Sequence, residues 1–300
     1  MFCLVSSQRS GARVDQVLLV ALNGLTLAAV YFLVASGLTL IFGLMRVITM
    51  AHGTSYLLGG YVGYVIVRET GNWFVGALGA AVTIGILGII IHQVLIRRFQ
   101  DDDMRVALIT LGVSLIGTDL MLATFGGTAT QVPVDESLQL ATVNLPVVGT
   151  YPVLRLLVLA IAIVIGIALG LLITKTRFGA VVRAGVDDAP MTAATGVNIG
   201  LVFAAVFALG SALAGFAGVV GGTLFPLLPG QDATYLLYSL VVVIVGGMGS
   251  ISGAAVGATL VGLVSQFALV YAPTYSLVLT FALMVVVLAL RPQGLMGRAV

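Results

Sequence analysis

The sequence predicts an all-α, polytopic integral membrane protein with about 8–9 transmembrane helices. The chain is 60% hydrophobic and only 8% charged, where soluble domains carry about 25% charged residues. Its mean hydropathy of +1.20 calls for a solvent as apolar as a bilayer. The apolar residues fall in long runs without period-two alternation, which favours helices over barrel strands. In lipid each backbone must satisfy its hydrogen bonds internally, and a helix does so within one segment.

Composition also excludes some functions. A formal net charge of +2 gives no basic footprint for nucleic acid. Cys3 is the single cysteine, so an internal disulfide is impossible and no redox compartment is legible. The chain reads as one transmembrane domain over residues 1–300.

The first apolar run covers 17–45. Arg9 and Arg13 before it imitate a signal peptide, but the run far exceeds the roughly 7–15 residues of a signal core. It is read as a retained span, expected to tilt or break near Gly43. After Arg46, Ala51-His52-Gly53 leads into a glycine-rich run, 57–67, that stops at Arg68-Glu69. Trp73, a residue suited to the interface, opens the third run, which ends at Arg97-Arg98. A solvated loop, 100–105, precedes the fourth run, 106–125. Residues 126–151 are rich in Thr, Val and Pro and contain Asp135 and Glu136 but no Lys or Arg.

The fifth and sixth runs, 153–174 and 199–223, flank a polar stretch over 175–198 that holds Lys175, the chain's one lysine. Phe225-Pro226-Leu227-Leu228-Pro229-Gly230 makes a rigid turn. Runs at 235–245, 254–270 and 276–290 follow, the first two separated by Gly246-Gly247-Met248-Gly249-Ser250. Pro292 and Gly294 stop the last helix, since proline cannot continue it and glycine ends it. The total is nine runs, or eight if a short one only dips into the membrane.

Orientation follows from the Lys/Arg bias of short loops. Arg97, Arg98 and Arg105 put one loop in the cytoplasm, Lys175, Arg177 and Arg183 another, and Arg291 and Arg298 the C-terminus. The 126–151 loop goes outside. Counting back leaves Arg9 and Arg13 on the outer side, against the rule, unless the first region is re-entrant.

Many glycines lie inside spans. Gly218 and Gly222, Gly249 and Gly253, and Gly253 and Gly257 make small-xxx-small faces. These are read first as bundle packing, then as pore lining or a dimer face. A faint echo relates 40–53 to 244–257, as internal repeats of transporters do.

The chain has no phosphate loop of its own. The motif G-x-x-x-x-G-K-[ST] needs two glycines to cradle phosphate, and Leu169 and Thr174 stand in their places before Lys175-Thr176. Nucleotide-driven work therefore needs a partner. His52 and His92 lie on different spans without Cys or carboxylate at ligand spacing, so no metal or cofactor site is expected. His92 reads as an interfacial polar residue, and His52, at a glycine-broken segment, as a functional candidate. Asp119 is the one carboxylate read as lying well inside a span, suited to a cavity, a partner or a local cap. A lone acid makes a proton relay a poor reading, and no nucleophile–base pair supports an intramembrane enzyme. Asp187 and Asp188 before Ala189-Pro190 read as a helix start, with acids at the N-terminus and proline in the first turn. Such a short surface helix suits a groove on another protein.

Taken in order, four stretches carry a family resemblance. They are Gly37-Leu38-Thr39-Leu40-Ile41-Phe42-Gly43-Leu44-Met45-Arg46-Val47-Ile48 with Ala51-His52-Gly53; residues 176–198; Val245-Gly246-Gly247-Met248-Gly249-Ser250 with Gly253; and Arg291-Pro292-Gln293-Gly294-Leu295. Across nearly its full length the chain resembles the inner-membrane permeases of branched-chain amino acid ABC importers. Thr49, Met50 and Thr54 depart from the Asn, Phe and acidic residue usual around Ala-His-Gly.

The resemblance implies a type II-like ABC importer permease in the cell inner membrane, without its own ATPase site. It implies pairing with a second permease subunit, two cytoplasmic ATP-binding subunits and a periplasmic solute-binding protein. It also implies that Arg183, Ala184, Asp187, Asp188, Ala189, Ala193, Ala194 and Gly196 form the helix that grips an ATPase. Related permeases carry urea or short amides, which is the alternative reading of the substrate. A stand-alone secondary carrier is a weaker rival. Candidate path residues are weakly polar: Asn23, Thr39, His52, Thr54, Ser211 and Ser239. Such a lining hydrates a solute but holds it loosely.

Overall fold

The computed structural model describes residues 2–45, 49–99, 102–145 and 149–297. Arg46, Val47, Ile48, Gln100, Asp101 and Arg298 lie outside the described residues. Among those described, every apolar run has its helix. In order the helices are α1 (Phe2–Met45), α2 (His52–Thr70), α3 (Trp73–Ile91), α4 (Asp103–Phe125), α5 (Glu136–Leu140), α6 (Val153–Lys175) and α7 (Arg177–Asp187). There follow α8 (Ala189–Ala194), α9 (Ile199–Leu224), α10 (Asp232–Gly246), α11 (Ile251–Tyr271) and α12 (Ser276–Leu290). Seven of them, α1, α3, α4, α6, α9, α11 and α12, are long and apolar enough to cross a membrane. The glycine-rich α2 and the shorter α10 complete the nine runs.

Helix starts are set by side-chain caps. Asn72 Oδ1 accepts from Phe74 N at 2.9 Å, Asp102 from Arg105 N at 3.1 Å and Asn198 from Leu201 N at 3.3 Å. Each satisfies an amide that the first helical turn leaves orphaned.

One expectation changes, and two features go beyond the sequence reading. Gly43 does not break α1, which runs on to Met45. Among its described residues the 126–151 segment holds α5 and the antiparallel strands β1 (Thr142–Leu145) and β2 (Gly149–Pro152), in which Val143 pairs with Tyr151. His92 is fully buried. It opens a π-helical turn, His92–Ile96, at the end of α3. That turn re-aims the side chain, and the ring lies 5.7 Å from that of Phe207 on α9.

Helices α1, α2, α9, α10 and α11 form the centre, while α4, α6 and α12 stay mostly exposed. The glycine faces are bundle contacts. A Cβ on Gly218 of α9 would sit 1.9 Å from the Tyr56 carbonyl oxygen of α2. Gly37 and Gly210 meet reciprocally, each Cβ position falling within 2.4–2.7 Å of the other's carbonyl oxygen. The two echoing stretches also touch, since a Cβ on Gly43 would lie 2.9 Å from Gly249 Cα.

The Arg-Pro-Gln-Gly-Leu stretch works as a clip as well as a stop. With Gly294 at φ +76°, the chain turns back so that Leu295 N donates to Val245 O and Met296 N to Gly246 O, both at 2.9 Å. These are terminal carbonyls of α10 that lack an intrahelical partner.

Candidate functional site

Two helices begin inside the bundle rather than at its faces. The His52 ring, at the first residue of α2, donates from Nε2 to Val34 O of α1 at 2.9 Å. Val34 stands eleven residues before α1 ends at Met45, about 16 Å along the axis. The start of α2 therefore lies beside the middle of α1 and not at its end. Helix α10 begins against the same point, because a Cβ on Gly53 would lie 2.1 Å from Asp232 O. The preceding turn is drawn inward by Leu227, which is fully buried and exchanges backbone hydrogen bonds with Thr130 at 3.0 and 2.7 Å.

Around this meeting of helix N-termini lies a polar centre. Asp232, in the first turn of α10, is 6% exposed. Its Oδ2 accepts from Thr54 Oγ1 at 3.0 Å, Ser114 Oγ at 3.2 Å and Thr118 Oγ1 at 2.7 Å. Thr54 belongs to α2, and Ser114 and Thr118 to α4, so one carboxylate ties three helices together. The partial positive charge of helix N-termini helps to tolerate an anion there. Sequence reasoning missed Asp232. The available signal was an acid just past a Pro-Gly turn, at the start of an apolar run.

Next to it, His52 and Ser211 line a void of about 10 Å³ with Ile41, Thr49, Ala51, Ser55, Ile91 and Phe207. That is roughly the space of one water molecule. Thr49 Oγ1, enclosed there, has no hydrogen-bond partner, nor has the buried Thr39 Oγ1 on α1. Thus His52 and Ser211 come together, with Thr54 two residues further along α2. Ser239 is buried and bonds locally to Leu236 O at 2.7 Å. Asn23 belongs to another network: its Oδ1 accepts from Tyr151 Oη at 3.3 Å and from Arg155 Nη1, tying α1 to β2 and α6.

A second surface lies at the other end of α6 from the hairpin. Thr176 Oγ1 caps α7, accepting from Gly179 N at 3.1 Å. On α7, Val182 is buried, and Phe178 and Val186 pack with it against Leu40, Leu169, Val206 and Leu213. Ala184 and Asp187 face outward. Arg183 is half-buried, with Nη1 enclosed and without a hydrogen-bond partner. Asp188 Oδ1 caps α8, accepting from Met191 N at 2.9 Å, and Pro190 sits in the first turn, as the sequence predicted. Pro190, Met191, Ala193 and Ala194 are exposed, Met191 by 66%. Gly196, at φ +87°, turns the chain toward α9. Ala189 is the first residue of α8.

Fold and surfaces together define a multi-pass α-helical membrane protein with a polar centre and an exposed helical elbow. Residues 20–288 match the family described as the branched-chain amino acid transport system permease component, and the chain belongs to that family. It is 30% identical to the high-affinity branched-chain amino acid transport system permease protein LivH of Escherichia coli K12, over 92% of this chain and 94% of that one. It is 28% identical to BraD of Pseudomonas aeruginosa, over 92% and 94% of the two chains. A probable LivH from Methanocaldococcus jannaschii is 26% identical over 88% of each chain. No solved structure matches the chain.

Proposed function

We propose that this chain is the membrane-spanning subunit of an ATP-driven importer for branched-chain or similar small amino acids in the cell inner membrane. The family match over residues 20–288 carries this reading. A second permease subunit stands beside it, a solute-binding protein delivers from the periplasm, and two ATPases work from the cytoplasm. The α7–α8 elbow suits the ATPase contact. It is anchored through Val182 in the bundle and offers Met191, Ala193 and Ala194 outward, an apolar helix face of the kind that seats in a groove. Its residues Arg183, Ala184, Asp187, Asp188, Ala189 and Gly196 complete the proposed coupling segment. The polar centre of His52, Thr54, Ser211 and Asp232 lies where α2 and α10 begin.

The test is reconstitution with the second permease, both ATPases and the binding protein in proteoliposomes. ATP-dependent uptake of labelled leucine is expected. Uptake of leucine without ATP, or ATP-dependent uptake of urea or acetamide but not leucine, would overturn the reading.

A further inference from the structure

The geometry points to the outer face of α4 as a wall of the aqueous translocation path, with Asp119 contacting the ammonium group of the passing solute. This rests on the reading of the chain as an amino acid permease.

Asp119 is exposed. It stands sixteen residues into α4, about 24 Å from the helix start and about 9 Å from its end. A side chain as short as aspartate cannot reach headgroups from there. Among the described residues it makes no hydrogen bond or ion pair. Its neighbours on that face are apolar and open, with Leu108 60%, Leu115 61% and Ile116 70% exposed. Hydrocarbon against this face would strand an ionised group, and such residues are found facing water-filled cavities or partners.

Two further observations direct the solute here. The bundle is tightly packed around His52: the void there holds about 10 Å³, and the helices around it meet backbone to backbone at their glycines. An amino acid does not fit in that void, which favours a path along an outer face. The other mostly exposed helices, α6 and α12, carry no charged residue between their ends. The back of α4 is meanwhile fixed, through Ser114 and Thr118, to Asp232. That leaves Asp119 on a held wall, facing out.

The chemistry matches a zwitterion with an aliphatic side chain. The carboxylate attracts the ammonium, and Leu115 and Ile116 accept the hydrocarbon. The cation that shares this face, Arg105, stands fourteen residues away and is paired with Asp102 at 2.8 Å, so the contact with Asp119 guides without trapping.

The experiment uses the full complex with Cys3→Ser and single cysteines at Gly112 and Ile116 on the α4 face. Val164 on α6 and Val285 on α12, exposed by 65% and 61%, supply lipid-facing controls. A charged, membrane-impermeant thiol reagent is applied during ATP turnover. Labelling at 112 and 116 with none at 164 and 285 is expected. Asp119→Asn should then cut leucine uptake per ATP hydrolysed about fivefold, the scale of one solvent-exposed charge contact, and Asp119→Glu should restore it. Positions 112 and 116 as silent as the controls would overturn the proposal, whether lipid or a partner subunit covers the face. Full uptake by Asp119→Asn would overturn the ammonium contact. The labelling result stands even if the complex carries no amino acid, an outcome that would instead sink the proposed function.

Discussion

Gly218 and Asp232 show how single residues decide this bundle. At Gly218 even one methyl group meets backbone, 1.9 Å from Tyr56 O and 2.6 Å from Gly60 N. Backbone cannot rotate away, so Gly218→Ala should cost about 3 kcal/mol, at the upper end of overpacking. Gly170 on α6 has open space around its Cβ position, and Gly170→Ala should be tolerated. Fluorescence size-exclusion of detergent extracts reads the difference; a monodisperse peak of normal height from Gly218→Ala would contradict the packing. Asp232→Ala removes the acceptor for three hydroxyls, and hydrogen bonds to a charged group contribute about 1.5–3 kcal/mol. It also removes a desolvated charge, which offsets much of that loss globally. The expected effect is therefore local: faster hydrogen exchange in α4 with little change in α9. Equal exchange in wild type and variant would mean that α4 is held by other contacts.

On the scale of elements, the α7–α8 elbow is set by short-range rules and then anchored by packing. Thr176 and Asp188 cap its two helices, and Val182 fastens α7 to the bundle. Ala194 is exposed on α8, so Ala194→Glu leaves the fold of this chain untouched. In a partner's groove the same glutamate becomes a desolvated charge, costing several kcal/mol. Normal membrane insertion is expected, with ATPase co-purification weakened and transport lost. Wild-type transport by that variant would remove the elbow from the coupling role.

The whole molecule makes two predictions. The α5–hairpin segment and the α7–α8 elbow sit at opposite ends of α6, so they should face opposite sides of the membrane. Lysine and arginine bias puts the elbow inside. With Cys3 replaced, a cysteine at Asp135 should react with an impermeant reagent on intact cells, while one at Asp188 should not. The reverse pattern would invert the topology. The second concerns affinity. The void beside His52 is too small for an amino acid, and Asp119 on α4 works without an ion-pair partner among the described residues, so the permease–ATPase complex should bind free amino acid at millimolar levels or weaker, no more than about 4 kcal/mol. Isothermal titration without binding protein measures this, and a micromolar site would mean that the permease itself selects the solute.

What the sequence determined by itself is what depends on near neighbours along the chain. Runs of apolar residues fixed the nine helices, Asp188 with Pro190 fixed the start of α8, and Pro292 with Gly294 fixed the end of α12. Glycine spacing announced close packing without saying what would pack. Tertiary structure decided everything that joins residues far apart in sequence. It brought Asp232 to Thr54 and α4, buried His92 by a π-turn that no local pattern signals, and drew Asn23 to Tyr151 and Arg155. Asp119 was visible from the start as a charge inside a span. Which way it points depends on how α4 docks, through Ser114 and Thr118, onto a carboxylate more than a hundred residues away. Periodicity along one helix carries no record of its partner's position, and so the site, unlike the helices, could be read only from the folded molecule.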